Sequence, residues 1–282
     1  MDHGSRCLCK NKEIQEEYLM SIMKNPIPIL EYDTDPSSVI MPGHEEMDLL
    51  LPRKAVFAFL GAEVDRYARE HGAVIAEYFI SETKQFPVYI LDHEGQKICL
   101  MQAPVGAPAA AQILDWMIAY GVREIISGGA CGVLCDIAED TFLVPSRALR
   151  DEGTSYHYLP PSRFVDISEK ARKAIEKTLL AHGLPYMEVT TWTTDGFFRE
   201  TRDKTAYRRS GGCQVVEMEC SALAACARLR GAVWGELLYT ADTLADAENY
   251  DERNWGGDSV AYALELCIEA VMKMSDADEK FC

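Results

Sequence analysis

Two acidic residues that flank a methionine are the strongest candidates for chemistry in this sequence. Glu217, Met218 and Glu219 lie in VVEMECSALAACARLRG, between a short apolar run and an apolar helix rich in small residues. Acids at the start of a helix usually do no more than complement the helix dipole. Between apolar elements, however, an ionised carboxylate is costly unless it binds something. The pattern therefore favours a ligand site that includes Glu217 and Glu219.

A glycine-rich stretch, SGGACG, follows the strand-like run VREII and predicts a phosphate-binding turn. Ser127 can donate one hydrogen bond and Gly129 allows a close backbone approach, but the stretch contains no Arg, Lys or Thr. The chain has a formal net charge of −17. Any anion must therefore be held by a local cluster of positive groups that works against the overall field.

Composition disfavours several classes of protein. Binding to a nucleic-acid polymer needs clustered Lys and Arg, so small molecules or other proteins are the expected partners. The apolar runs are much shorter than the roughly 20 residues of a membrane span, and the N-terminal stretch has no apolar signal core. We therefore expect a cytoplasmic protein without a membrane partner. The ten cysteines are expected to be free thiols, and their spacing fits no zinc pattern, so no metal is expected.

Strand-like and helix-like segments alternate from Ala55 onward. AVFAFLG and the glycine-containing VREIISGGA predict strands, EVDRYAREHG and PAAAQILDWMIAYG predict helices, and FPVYILDHEGQKICLMQAP predicts a hairpin. This alternation indicates an α/β sandwich around a largely buried sheet, with the chemistry at strand ends. No linker or repeat divides the chain. Residues 1–282 are predicted to form one domain, with residues 1–50 as an arm along the body or a neighbouring subunit.

Four segments resemble those of the nucleoside phosphorylase family, which includes uridine phosphorylases, hexameric purine nucleoside phosphorylases and methylthioadenosine nucleosidases. The segments are FLGAEVDR, VGAPAAAQILDWMIAYGVREIISGGACGVL, TTDGFFRE and VEMECSALAACARLRG. The resemblance implies a three-layer α/β sandwich with a central mixed, barrel-like sheet flanked by helices. It also implies homodimers or hexamers with active sites near the dimer interface. The implied reaction breaks the N-glycosidic bond of a nucleoside, without a cofactor, and phosphate or water takes the sugar.

The resemblance also implies roles for the substrate-binding residues. Glu219 is expected to accept hydrogen bonds from the ribose hydroxyls, with Met218 against the sugar and Glu217 beside it. In TTDGFFRE, Phe197 is expected to stack on the base. Thr194, in the same segment, is expected to contact the substrate. Two adjacent phenylalanines in a strand cannot both face inward, which is why Phe197 is preferred to its neighbour.

Phosphate-binding residues follow from the same resemblance. Arg66 matches the arginine of the family's first glycine loop, and Lys84 matches a basic residue that reaches in from the neighbouring subunit. Gly61 lies one place earlier than the usual glycine of that loop. Ser127 and Ala130 stand where family phosphorylases hold an Arg and a Thr, with Gly129 between them.

The nucleobase preference depends on Asp242, which occupies the place of an Asp that shares a proton with the purine N7 in purine-cleaving relatives. Uridine phosphorylases read the uracil edge with a Gln and an Arg, and here Thr201 and Asp203 stand in those places. We therefore expect a phosphorylase with a slight preference for purine nucleosides over uridine. The alternatives are a uridine phosphorylase, a nucleosidase that uses water activated by Glu217 or Glu219, and a nucleoside-binding protein without turnover. His157 is left open between a sugar contact and a surface role.

Overall fold

The computed structural model describes residues 22–246 and 248–274. The predicted N-terminal arm therefore lies partly outside the described residues. Its described part has little regular structure apart from one short 3-10 helix, Pro28–Leu30, and it contacts the body of the same chain. Arg230 donates a hydrogen bond to the carbonyl oxygen of Pro36, and the Tyr32 hydroxyl donates to the Tyr158 carbonyl oxygen at 3.4 Å.

Ten strands of the described residues form one mixed sheet. They are β1 Lys54–Ala58, β2 Val74–Ile80, β3 Gln85–His93, β4 Gln96–Gln102, β5 Glu124–Val133, β6 Phe142–Asp151, β7 Phe164–Asp166, β8 Tyr186–Thr194, β9 Val215–Glu217 and β10 Val233–Thr243. The order along the sheet is β10-β6-β8-β9-β5-β1-β4-β3-β2, and β7 pairs with β6. Because β10 also pairs with β5, five strands close into a ring. The predicted barrel-like mixed sheet is confirmed.

Seven helices flank this sheet in the part of the chain that is described. They are α1 Ala62–Glu70, α2 Ala107–Ala119, α3 Ser155–Tyr158, α4 Glu169–Ala181, α5 Arg202–Ser210, α6 Cys220–Leu229 and α7 Val260–Met272. Helix α6 is buried along nearly its whole length, which its Ala, Cys and Ser side chains allow because they are small enough for close packing. None of the helices formed by residues 22–246 and 248–274 is long and apolar enough to cross a membrane.

The prediction that SGGACG forms a turn is wrong, because these residues continue strand β5. Their glycines are needed for packing inside the sheet. A Cβ atom on Gly128 would lie 2.6 Å from the Cys267 Sγ, and one on Gly129 would lie 3.3 Å from the Phe59 Cβ. The glycines therefore let neighbouring layers approach the strand closely. In the sequence, such a run of glycines resembles the pattern of a phosphate-binding loop.

The strand directions bring the carboxyl ends of four strands together at one edge of the sheet. β1 runs parallel to β4 and β5, and β10 runs parallel to β5. Their carboxyl ends therefore meet, which is where ligands bind in sheets of this kind. Strand β9 enters the same region from the other side, antiparallel to β5 at Gly132 and Val216. This arrangement places the VEME sequence beside the end of β10.

Candidate active site

A cavity of about 210 Å³ lies where these strand ends meet. Strands β5 and β10 form its floor, and the turn after β9 forms one wall. The TTDGFFRE segment and the loop that follows β10 contribute Phe197 and Trp255. Four carboxyl groups line the cavity, namely those of Glu200, Glu217, Glu219 and Asp242. No Lys, Arg or His lines it among the described residues.

Glu217 is held by four hydrogen-bond donors. The hydroxyls of Thr191 and Thr193 donate to its Oε1 at 3.1 and 2.6 Å, and the backbone N–H groups of Glu219 and Cys220 donate to its Oε2, both at 2.6 Å. Burial raises the pKa of Glu217, and these donors oppose the shift. Because its oxygens are occupied by the protein, Glu217 anchors the start of α6 and positions the next two residues. This geometry leaves it poorly placed to act as a base on water.

Glu219 lies two residues later at the N-terminal end of α6, with 6% of its surface exposed. The Gly106 N–H donates to its Oε1 at 2.5 Å. Gly106 has a φ of +105°, a backbone conformation that favours glycine. Burial, and secondly the charge of Glu217, raises the pKa of Glu219 to about 8. The structure therefore offers a carboxyl group that is protonated at neutral pH in the empty cavity and ionises when a positive charge approaches.

Asp242 lies near the end of β10, on the other side of the cavity, and is 6% exposed. The Tyr250 hydroxyl donates to its Oδ2 at 3.1 Å. Burial raises the pKa of Asp242, while the Tyr250 hydrogen bond and the charge of Arg253 oppose the shift. An aspartic acid in these surroundings can deliver a proton to a leaving group.

Aromatic and apolar groups complete the cavity. Phe197 and Phe198 lie in a short 3-10 helix, Phe197–Arg199, so the prediction that they belong to a strand is wrong. Phe197 is 44% exposed and lines the cavity, whereas Phe198 is 92% exposed and does not. Met218 lines it as well. Trp255, which the sequence analysis missed, has a φ of +57° and lines the cavity from the loop after β10. Strain of this kind in a bulky residue often accompanies a functional site.

Glu200 is the second residue that the sequence analysis missed. It follows the 3-10 helix, is partly buried and lines the cavity together with Asp242. Burial, and then the charge of Asp242, raises the pKa of Glu200 to about 7. Its position in TTDGFFRE could have suggested it, because an acid three residues after an expected base-stacking residue lies within reach of the same ligand.

The cations predicted to bind phosphate do not line this cavity. Arg66 is half exposed on α1 and pairs with Glu63 and Glu70 of the same helix, at 2.5 and 2.9 Å. Lys84 lies in the turn between β2 and β3, with its Nζ 4.9 Å from the centre of the Phe86 ring. Gly61 precedes α1 with a φ of +57°, and it is also absent from the cavity lining.

Three further residues that were predicted to contact substrate or phosphate make contacts within the chain. Ser127 is fully buried, and its Oγ accepts a hydrogen bond from the Trp234 indole N–H at 3.0 Å. Ser127 therefore has a hydrogen-bond partner within the chain, and Gly129 is covered by Phe59. Thr194 is buried and accepts a hydrogen bond from the Gly196 N–H at 3.1 Å, so it shapes the turn before Phe197 rather than lining the cavity.

His157 lies apart from these residues. It lines a larger cavity of about 800 Å³, between the described part of the N-terminal arm and α2. Asp115 and Arg230 line the same cavity and pair with each other at 2.7 Å. The possible sugar contact of His157 therefore finds no support within a single chain.

Known proteins resemble this chain in sequence and fold. A family model described as the phosphorylase superfamily matches residues 53–273. A uridine phosphorylase from Haemophilus influenzae is 25% identical over 122 residues, which are 43% of this chain and 48% of that protein. The chain thus matches about half the length of this curated relative.

Solved structures share the fold at low sequence identity. An AMP nucleosidase from Bacteroides thetaiotaomicron has a TM-score of 0.66 at 23% identity, covering 81% of this chain and 91% of that one. A purine nucleoside phosphorylase from Toxoplasma gondii has a TM-score of 0.66 at 16% identity, covering 78% and 90%. A uridine phosphorylase from Vibrio fischeri has a TM-score of 0.66 at 21% identity, covering 79% and 93%. Since the family model spans most of the chain and the fold agrees with it, the chain belongs to the phosphorylase superfamily.

Proposed function

We propose that the protein cleaves the N-glycosidic bond of a purine nucleoside and that water takes the ribosyl group. One observation carries this proposal: the cavity is lined by four carboxyl groups and, among the described residues, by no cation. Such surroundings stabilise a cationic sugar and a protonated base. They disfavour a phosphate anion beneath the sugar.

The base leaves as a neutral molecule if a proton reaches it during bond cleavage. Asp242 is the proposed general acid, because it lines the cavity and burial raises its pKa. The N7 atom of a purine is the natural acceptor, since its basicity rises as the glycosidic electrons move into the ring. Phe197 and Trp255 supply aromatic faces for the base and limit the access of bulk water.

The sugar becomes an oxocarbenium ion as the bond breaks. Glu219 is the proposed partner of the ribose hydroxyls, and its carboxylate stabilises the positive ring. Once it has ionised, Glu219 is also the better candidate to accept the proton of the attacking water, because the oxygens of Glu217 already accept hydrogen bonds from the protein. Gly106 holds one Glu219 oxygen through its N–H and so directs the carboxyl group.

Phosphate, the acceptor favoured by the sequence, is less well supported by the geometry. Arg66 is already paired with two carboxylates. The first turn of α1 carries Glu63 and Asp65, which oppose an anion at the N-terminus of that helix. One observation favours phosphorolysis as the second candidate: Lys84 lies in an outer turn and makes no ion pair among the described residues, so it is available to a neighbouring subunit's cavity.

Product analysis separates the candidates. The purified protein is incubated with adenosine, inosine or uridine, with and without phosphate, and free base, ribose and ribose 1-phosphate are separated by chromatography. We expect release of purine base and free ribose at a rate that phosphate does not change. Ribose 1-phosphate formed only with phosphate, at a phosphate requirement raised in Lys84→Ala, would establish the phosphorylase instead. Binding of nucleoside without turnover would identify a sensor.

A further inference from the structure

Glu200 is a carboxyl group that lines the cavity and has no partner among residues 22–246 and 248–274. Its side chain makes no hydrogen bond or ion pair with any other described residue. The cation that most affects it is Lys204 of α5, and that ammonium group is already held by Asp151 at 2.8 Å. An acid that faces a binding cavity without a partner is available to a ligand.

Glu200 lines the same cavity, of about 210 Å³, as Asp242, the proposed base-protonating acid. The charge of Asp242 acts on Glu200, and the charge of Glu200 acts on Tyr250, the residue that donates a hydrogen bond to Asp242. Phe197, three residues before Glu200, lines the same cavity. In a cavity of this size we expect both acids to meet one edge of a base that stacks on Phe197.

The chemistry of that edge limits which purines fit. In a purine, the substituent at C6 lies next to N7 on the same edge of the ring system. When Asp242 serves N7, an amino group at C6 can donate a hydrogen bond to a second carboxylate. A carbonyl oxygen at C6 would instead face that carboxylate with its lone pairs, and this repulsion is large in a partly buried site.

We propose that Glu200 accepts a hydrogen bond from the exocyclic amino group of a 6-aminopurine and thereby makes the enzyme selective for adenosine-type nucleosides over 6-oxopurine nucleosides. The inference rests on the proposed cleavage of purine nucleosides and names the base for that site. A hydrogen bond to a carboxylate, against an unpaired acceptor in the competitor, gives a preference of roughly 10- to 100-fold.

The groups around Glu200 determine its pKa and therefore the pH at which the preference for adenosine over inosine changes. Burial, and then the charge of Asp242 of β10, raises the pKa of Glu200, and Lys204 of α5 lowers it. The charge of Glu200 in turn raises the pKa of Tyr250, in the loop after β10. With its pKa raised to about 7, Glu200 accepts from an amine above that pH and donates to a carbonyl below it. The preference for adenosine is therefore expected to decline as the pH falls below about 7.

The test compares kcat/KM for adenosine and inosine in the wild type, Glu200→Ala and Glu200→Gln. Glu248→Gln is the matched control, because Glu248 is an exposed acid paired with Arg202 at 2.9 Å and does not line the cavity. We expect the adenosine-to-inosine ratio to fall roughly tenfold or more in both Glu200 variants and to stay unchanged in the control. An unchanged ratio in folded Glu200→Ala would overturn the inference.

A binding measurement keeps this result separate from the cleavage proposal. Adenine and hypoxanthine are titrated into the same variants, with tryptophan fluorescence as the signal, because Trp255 lines the cavity. Selective adenine binding that disappears in Glu200→Ala supports the inference even if the wild type cleaves no nucleoside. A lack of cleavage would overturn only the proposed function. Equal binding of the two bases by the wild type overturns the inference even if both nucleosides are cleaved.

Discussion

Replacing Glu219 by Gln is expected to raise stability at alkaline pH while it removes activity. The fold holds this carboxyl group protonated, since burial and the charge of Glu217 raise its pKa to about 8 from the ordinary 4.5. The stability that the protonated group provides is fully present below about pH 4.5 and is lost as the pH rises to about 8. A glutamine is neutral throughout this range and loses nothing.

The pKa difference sets the size of the effect. The pKa of Glu219 rises from 4.5 to about 8, and each pKa unit corresponds to about 1.4 kcal/mol. The stability lost by ionising Glu219 in the folded protein is therefore at most about 5 kcal/mol. Because water in the open cavity solvates the carboxylate in part, we expect Glu219→Gln to exceed the wild type in free energy of unfolding by about 2 to 4 kcal/mol at pH 9. At pH 5 the two proteins should differ by less than about 1 kcal/mol. Turnover should fall roughly 100-fold or more, because an amide cannot stabilise the oxocarbenium ion as a carboxylate does.

Urea unfolding of the wild type and Glu219→Gln from pH 5 to 9 measures the stability difference, and nucleoside cleavage measures the activity. Glu248→Gln serves as the control for removing one surface charge. If the difference in free energy of unfolding between wild type and Glu219→Gln does not change with pH, Glu219 is not held protonated by the fold. If the variant keeps half of the wild-type activity, Glu219 has no role in the reaction.

Three further substitutions test other parts of the site. Asp242→Asn should slow purine nucleoside cleavage roughly 100-fold or more and spare a 4-nitrophenyl riboside, whose leaving group needs no proton; equal losses on both substrates would contradict an acid role. Gly106→Ala should lower the free energy of unfolding by about 1 to 3 kcal/mol, measured in a thermal melt, because an alanine is strained at a φ of +105° even though its Cβ would meet no atom within 4 Å. It should also slow cleavage by moving the N–H that donates to Glu219; unchanged stability would show that the backbone relieves the strain. Ser127→Ala should lower stability by about 1 to 2 kcal/mol by leaving the Trp234 N–H unpaired, with cleavage at any phosphate concentration unchanged; an altered phosphate response would restore Ser127 as a phosphate contact.

The sequence predicted the site residues that lie at the ends of strands. VEME and Asp242 each follow or end an apolar strand, and the strands that carry them run so that both meet in one cavity. Phe197 was placed there as well, although in a 3-10 helix rather than a strand. The local apolar pattern determines which strands form, so residues at their ends could be assigned to one edge of the sheet.

The residues that the sequence could not place depend on the register between strands and on loop paths. Ser127 looks available in sequence, but the pairing of β5 with β10 sets Trp234 against it and its hydroxyl is taken. Arg66 looks like a free cation until the helix brings Glu63 and Glu70 to its side. Trp255 reaches the cavity only through the path of the long loop after β10. The helical spacing of Arg66 with Glu63 and Glu70 could have been read from the sequence, whereas the contacts of Ser127 and Trp255 leave no periodic signal.

The acidic cavity also explains how one site can admit a neutral nucleoside and still favour a cationic transition state. In the empty cavity, burial keeps Glu219 protonated up to about pH 8, so a neutral substrate meets no unpaired negative charge there. As the glycosidic bond lengthens, the developing positive charge of the sugar lowers the pKa of Glu219, so the carboxyl group releases its proton to water and the resulting carboxylate lies beside the sugar. Its strongest interaction is then made with the transition state and not with the bound substrate, which is the condition for raising kcat. A permanent cation in this cavity would keep Glu219 ionised before the reaction and reduce that difference. The absence of a lysine or arginine from the described lining is therefore consistent with the reaction that we propose.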